Sequence, residues 1–393
     1  MTHWHWVWAG CLISSLGVAA LGGKEPHIPR SDTEVVEVLY PRLINPELKQ
    51  LEEKHLASPN DLAAALTYAE ALLDAGNDAA EPRFNGFAVK VLSPWWKQAR
   101  PPVQTLFLRA RVRYNEHLYS LALEDLDKLL AQNKSYPKAQ WLRAEVLRFQ
   151  GDWENSLKDC KALSVPATRL EGAACHARVL GLTGRLEEAY ASLMGINLAV
   201  GTSKESLALV QETLADLTYR MGKPKAAEAH YRAALRIHPR RVELLAQYAD
   251  LLHDEGRSAE VIPLLRSFRH SDELLLRLAL AKRTAGDPEW IAETAELGER
   301  FNAGRARGTS FHDREEAMYS LLLKDDANAA LNFAKKNWNC RKEPLDLRIL
   351  LEASLAAKDR RMAKEAIGYL EKTKLQYPRL EVLKEISEKG LLK

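Results

Sequence analysis

Glycines that close helices recur along this chain at nearly constant spacing, and that recurrence narrows what it can fold into. Gly151 and Gly184 lie 33 residues apart, and Gly222 and Gly256 lie 34 apart. Each follows a stretch whose apolar residues are three and four apart, the spacing of one helix face. Glycine ends a helix cheaply because it enters the left-handed backbone region without a side-chain clash. Helix–turn–helix units at a fixed period bury their apolar faces on one another, so the chain grows linearly and not around one core. A length of 393 residues then no longer implies two or three globular domains. The composition, 46% hydrophobic and 28% charged, supplies enough apolar surface for such an array. Its 56 basic and 53 acidic side chains nearly cancel, which argues against the dense basic surface that a nucleic acid requires.

The clearest unit is LALVQETLADLTYRMGKPKAAEAHYRAALRIHP, from Leu207 to Pro239. Leu214 and Ala215 fall where two facing helices touch. Gly222 and Pro224 separate the helices; Ala227, Tyr231 and Ala234 form a stripe on the second, and Pro239 ends it. Similar pairs begin at Thr105, Lys138, Leu170 and Val242. Asp61 to Ala75 reads as a helix stopping at Gly76, with an irregular partner leading to Pro94-Trp95-Trp96. Gly304 to Gly308, with its arginines, reads as a loop, and Asp313 with Glu316 reads as a capping box.

The Leu207–Pro239 unit resembles a tetratricopeptide repeat, a helix–turn–helix of about 34 residues. The resemblance is tightest from Pro102 to Phe268; outside it, spacing and amphipathicity carry the reading. It implies an all-α fold, a right-handed α-solenoid of about nine tandem hairpins with a C-terminal capping helix over Leu380 to Lys389. The expected organisation is a signal peptide or N-terminal anchor over 1–23, a polar proline-containing lead-in over 24–58, and the solenoid over 59–393.

The sequence holds no GxxxxGK[ST] phosphate loop, no HExxH and no GxSxG. His253-Asp254-Glu255 are consecutive helical residues that point in different directions, so they read as solvated and not as metal ligands. The expectation is therefore a protein without catalytic, cofactor or metal residues. In the family it resembles, the first helix of each pair lines a concave groove that receives a partner's peptide or helix. On that face the resemblance places Phe107, Arg111, Tyr114 and Asn115, then Trp141, Glu145, Arg148 and Phe149, then Arg178, then Asp216, Tyr219 and Arg220. Arginine and aromatic residues dominate binding hot spots. Arg111, Arg148, Arg178 and Arg220 recur once per unit, an arrangement suited to an acidic or carboxylate-bearing segment. The competing reading is an ordinary polar helix face, with Glu145, Asp216 and Asp250 neutralising the arginines locally.

Val7 to Leu21 is an uninterrupted apolar and small-residue run, of signal-peptide length and short for a span. No Lys or Arg precedes it, which leaves an uncleaved anchor as the alternative. Of four cysteines, Cys160 and Cys175 fall on successive helices, as a bridge or as two buried thiols. The function expected is a non-catalytic protein–protein interaction scaffold of the cell envelope, periplasmic or secreted. Its partners would be proteins and not nucleic acid. The alternative is an accessory subunit of an envelope enzyme or transport complex, tethered to the inner membrane by Val7 to Leu21.

Overall fold

The structure, a computed structural model, describes residues 46–79, 81–196, 202–306 and 312–390. The apolar run from Val7 to Leu21 and the residues around Gly308 lie outside the described residues. Among the described residues every regular element is helical. Helix α1 (Pro46–Ala57) packs on α2 (Leu62–Ala79), which pairs with α3 (Arg83–Val91), and a single turn, α4 (Ser93–Trp96), follows. Then come α5 (Val103–Asn115) with α6 (Tyr119–Gln132), α7 (Pro137–Gln150) with α8 (Trp153–Ala162), and α9 (Arg169–Gly181) with α10 (Leu186–Met194). The array continues with α11 (Lys204–Arg220) and α12 (Pro224–Ile237), α13 (Val242–Asp254) and α14 (Ser258–Leu265), and α15 (Asp272–Ala285) and α16 (Trp290–Ala306). Last are α17 (Asp313–Leu322) with α18 (Ala327–Cys340), α19 (Pro344–Ala356) with α20 (Arg360–Thr373), and the closing helix α21 (Pro378–Gly390). The expected all-α series of tandem hairpins with a terminal helix is thus the fold.

Local chemistry explains the boundaries. Asp152, Ser203, Ser271, Asp326 and Asp359 each accept a backbone N–H at the start of a helix, filling one of its orphan donors. Pro137, Pro224 and Pro344 open helices where no N–H is needed. The stripe of Ala227, Tyr231 and Ala234 is buried in one cluster with Ala215, while Leu214 is buried toward Leu180 and Leu186 of the preceding hairpin. The stripe's alanines let the helices approach closely, and one continuous apolar core extends from there through Leu350 to Leu383.

Three local expectations are corrected. Gly76 lies inside α2 and does not end it. A Cβ there would come within 2.8 Å of the Phe84 Cβ, so this glycine serves the close crossing of α2 and α3. Gly304, Arg305 and Ala306 belong to α16, not to a loop, and Arg305 reaches Glu316 and Asn302. Glu316 is thereby drawn away from capping, and Asp313 is already the first residue of α17. The reciprocal arrangement appears instead at α19, where Asp346 accepts the backbone N–H of Glu343.

On the outer side, Glu228 accepts hydrogen bonds from Arg257 and Tyr248 and pairs with Arg232. The Arg257 bonds in particular hold its carboxyl down from 4.5 to about 2. A depressed carboxyl stabilises the fold above its unfolded value, and the contribution disappears as pH falls through the folded value. Wild-type thermal stability should therefore fall between pH 4.5 and about 2 more steeply than that of Glu228→Gln. Parallel curves for the two proteins would contradict this assignment.

Candidate functional site

The C-terminal ends of α7, α9, α11 and α13 form one edge of the array, and the last two hairpins lie across that edge. Residues Arg341 to Glu343, between α18 and α19, meet the end of α7. The Lys342 backbone N–H donates to the Phe149 carbonyl at 2.7 Å, one of the carbonyls a helix end leaves free. The Arg341 guanidinium lies 4.3 Å from the Phe149 ring centroid, and that of Arg148 lies 4.5 Å from it. Glu343 accepts from Arg148 at 2.7 Å, from Arg341 at 2.5 Å and from Arg314 at 3.1 Å. Burial alone would raise its carboxyl; Arg341, Arg148 and Arg314 together hold it well below the usual carboxylate range. Farther along, Lys374 abuts Gly184, Arg220 donates to the Gln376 carbonyl, and Tyr377 sits edge-on to Tyr219. Arg348 of α19 forks onto Asp254 of α13 at 2.6 and 2.8 Å.

Of the residues nominated from the sequence, Arg148, Phe149, Tyr219 and Arg220 meet the last two hairpins at this edge; the others lie on the same series of first helices, and each is engaged within the chain. Phe107 is buried beside Tyr136. Arg111 pairs with Asp74, and Asn115 donates to Asn77 and Asn85. Tyr114 stacks on Phe149 at 5.8 Å. Trp141 lies under Arg178, which divides itself between Glu145 and Glu212. Arg148 is buried and takes Glu145 on one side and Glu343 on the other. Arg220 is buried, pairs with Asp216 and donates to the Gly181 carbonyl. Tyr219 donates to Asp254. The four arginines thus recur once per unit as expected, but in this structure they are neutralised by carboxylates and carbonyls. Asp254, expected to be solvated, is also paired. Nothing local in the sequence marks Glu343 or Arg348 as the partners, because they are 195 and 94 residues away from Arg148 and Asp254.

At the end of this closed arc, sharing Asp254 and Arg348 with it, the face of the first helices stays open. Five consecutive first helices, with α21 counted as the last, line a cavity of about 470 Å³. Leu280 of α15, Met318, Leu321 and Leu322 of α17, and Leu345 and Ile349 of α19 supply its apolar wall. Asp250, Asp254, Arg348, Glu352 and Arg379 supply the rim, and its charges are paired: Asp250 with Arg277, and Glu352 with Arg348 and Arg379. The space suits two or three apolar side chains. It contains no nucleophile–base pair, and among the described residues no group of three His, Cys, Asp or Glu is placed to hold a metal ion.

No family model and no curated protein matches this sequence. Solved structures do. A tetratricopeptide repeat protein of Thermus thermophilus, TTC0263, is similar at 25% identity over 48% of this chain and 97% of that one, with a TM-score of 0.36. A Rap protein complexed with competence and sporulation factor is similar at 12% identity over 86% of this chain and 92% of that one, with a TM-score of 0.48. Yeast Tom70 is similar at 12% identity over 87% of this chain and 85% of that one, with a TM-score of 0.40. The repeat assignment rests on the hairpins themselves, with Gly151, Gly184, Gly222, Gly256 and Gly286 all at positive φ after successive first helices. By helix order, turn glycines and small-residue contacts, the described residues form an all-α tandem array of helical hairpins similar to those of tetratricopeptide repeat proteins.

Proposed function

We propose that this protein is a non-catalytic interaction scaffold that seats a partner segment on its concave face. The open cavity on α13, α15, α17, α19 and α21 carries the reading. Its apolar wall is preformed by rigid helices, so a partner's side chains enter it with little ordering cost on the scaffold side. The paired rim charges orient polar groups without leaving a buried ion unpaired. The neighbouring arc and its first helices, with Phe107, Arg111, Tyr114, Asn115, Trp141, Arg148, Phe149, Arg178, Asp216, Tyr219 and Arg220, continue the same face and are assigned to the same partner surface. The partner is a protein; the near-balance of acidic and basic residues supports no nucleic-acid role.

The location we assign is the cell envelope, as an exported protein. Two observations support it: the apolar run from Val7 to Leu21, and a bridge between Cys160 and Cys175, a bond that persists in oxidising compartments. Among the described residues no helix is long and apolar enough to cross a membrane.

Photo-crosslinking in the native host tests the scaffold reading without removing a core contact. A photoreactive side chain at Leu321, on the cavity wall, should yield a defined protein adduct. The same group at Lys128, exposed on the second helix α6, should not. Adducts from Lys128 alone, or from neither position, would overturn the assignment of the concave face.

A further inference from the structure

The array closes on itself through contacts in which every guanidinium, and Glu343, keeps a second partner when they part. Arg148 leaves Glu343 but keeps Glu145, at 2.9 and 3.2 Å. Glu343 leaves Arg148 but keeps Arg341 and Arg314. Arg348 leaves Asp254 but keeps Glu352, while Asp254 keeps the Tyr219 hydroxyl. Arg220 leaves the Gln376 carbonyl but keeps Asp216 and the Gly181 carbonyl. Breaking a buried pair is costly mainly when one partner remains buried alone. Arg148, Glu343, Arg348 and Arg220 thus each retain a counter-charge of their own, which lowers that penalty; Asp254 loses its cation and keeps a hydroxyl. The ring contacts are edge-on, Tyr377 to Tyr219 and Tyr369 to Trp153.

The segment that fills the arc also reveals what the arc recognises. Arg341 covers one face of Phe149, Lys342 contributes a backbone N–H, and Glu343 reaches Arg148. An arginine and a carboxylate two residues apart on an extended backbone satisfy all three contacts and leave the site electrically balanced. From this we infer that the end of α7 is a binding site for an Arg-x-Glu segment of a partner protein, and that the chain's own Arg341-Lys342-Glu343 occupies it in the closed state. A partner segment of this kind displaces the last two hairpins from the edge. The inference deepens the scaffold reading at a second place on the concave face. Its test does not use the open cavity, so each can fail without the other.

The turn glycines provide the control. Gly184 and Gly222 have nearly the same backbone, with φ of +74° and +69°. A Cβ on Gly184 would meet the Lys374 Cβ at 2.6 Å, whereas one on Gly222 meets nothing within 4 Å. Alanine at either position carries the same left-handed strain, but only Gly184→Ala also pushes the last hairpins away.

The probe is a fluorescein-labelled peptide copying residues 338–347 with a C340S change, titrated into the full chain and followed by anisotropy. Both Glu343→Gln and Gly184→Ala should bind it about tenfold more tightly than wild type and Gly222→Ala, because the competent state is no longer occupied in cis. Arg148→Ala added to Glu343→Gln should abolish binding, and a peptide carrying E343K should not bind. Hydrogen exchange of α20 and α21 should accelerate in Gly184→Ala and stay unchanged in Gly222→Ala. Equal affinity across the four proteins, no binding to the two opened variants, or retained binding after loss of Arg148 would overturn the site.

Discussion

Asp125→Ala should destabilise the chain by about 3–5 kcal/mol, the cost of stranding a buried charge. Asp125 lies on α6 with no exposed surface. It accepts from Arg109 Nε at 2.8 Å and Nη2 at 2.6 Å, and from Arg113 Nη1 at 2.6 Å. Without it, Arg109 stays buried with only the Trp96 carbonyl to receive its N–H groups. In a linear array such damage acts first on the affected hairpin and its neighbours. Urea unfolding should therefore lose its single transition, with the N-terminal hairpins melting early. Arg109→Met with Asp125→Leu removes the more deeply buried stranded charge, leaving the partly exposed Arg113 on the Leu121 carbonyl, and should recover part of the loss. A single Asp125→Ala transition at the wild-type midpoint would show that the pair does not hold α5 to α6.

Removing the bridge between Cys160 and Cys175 is the second large expected effect. The two lie 15 residues apart and join α8 to α9. Closing a loop of that size stabilises by about 3 kcal/mol through the unfolded chain. Both residues sit in a small cluster with Ala144, Leu163 and Val179, against Trp141, Trp153 and Leu157. The double alanine variant should thus unfold earlier, with tryptophan emission reporting the change close to the bridge. Thiol trapping in the native host bears on location as well. After denaturation without reductant, Cys340 should alkylate while Cys160 and Cys175 resist. Full alkylation of all three would remove the support that the bridge lends to export.

The hairpins could be read from the sequence because each is decided within a few dozen residues. Apolar spacing chose the buried faces of α11 and α12, and Leu214, Ala215, Ala227, Tyr231 and Ala234 are buried as their positions require. Gly222 and Gly256 take positive φ for the local reason anticipated. Gly76 misled because glycine also marks close helix contact, and only the position of Phe84 distinguishes the two uses. The capping box was placed at Asp313 because the spacing fits; the competing hold of Arg305 on Glu316 comes from another helix.

The concave face divides along the same line. The resemblance to the repeat placed Arg148, Arg178 and Arg220 on one surface, each at a matching position of its own first helix. Whether those guanidinium groups are available depends on Glu145, Glu212 and Glu343, and Glu343 arrives from the far end of the chain. Small rotations between successive repeats add up to bring Lys342 to Phe149 and Lys374 to Gly184. By itself the sequence determined the repeating unit, because its helices, turns and buried stripes are set by short-range sterics and by the removal of apolar side chains from water. Only the tertiary structure decided that the array closes, which charges it pairs and where it stays open, because those follow from a superhelical path accumulated over many units and written in no single one of them.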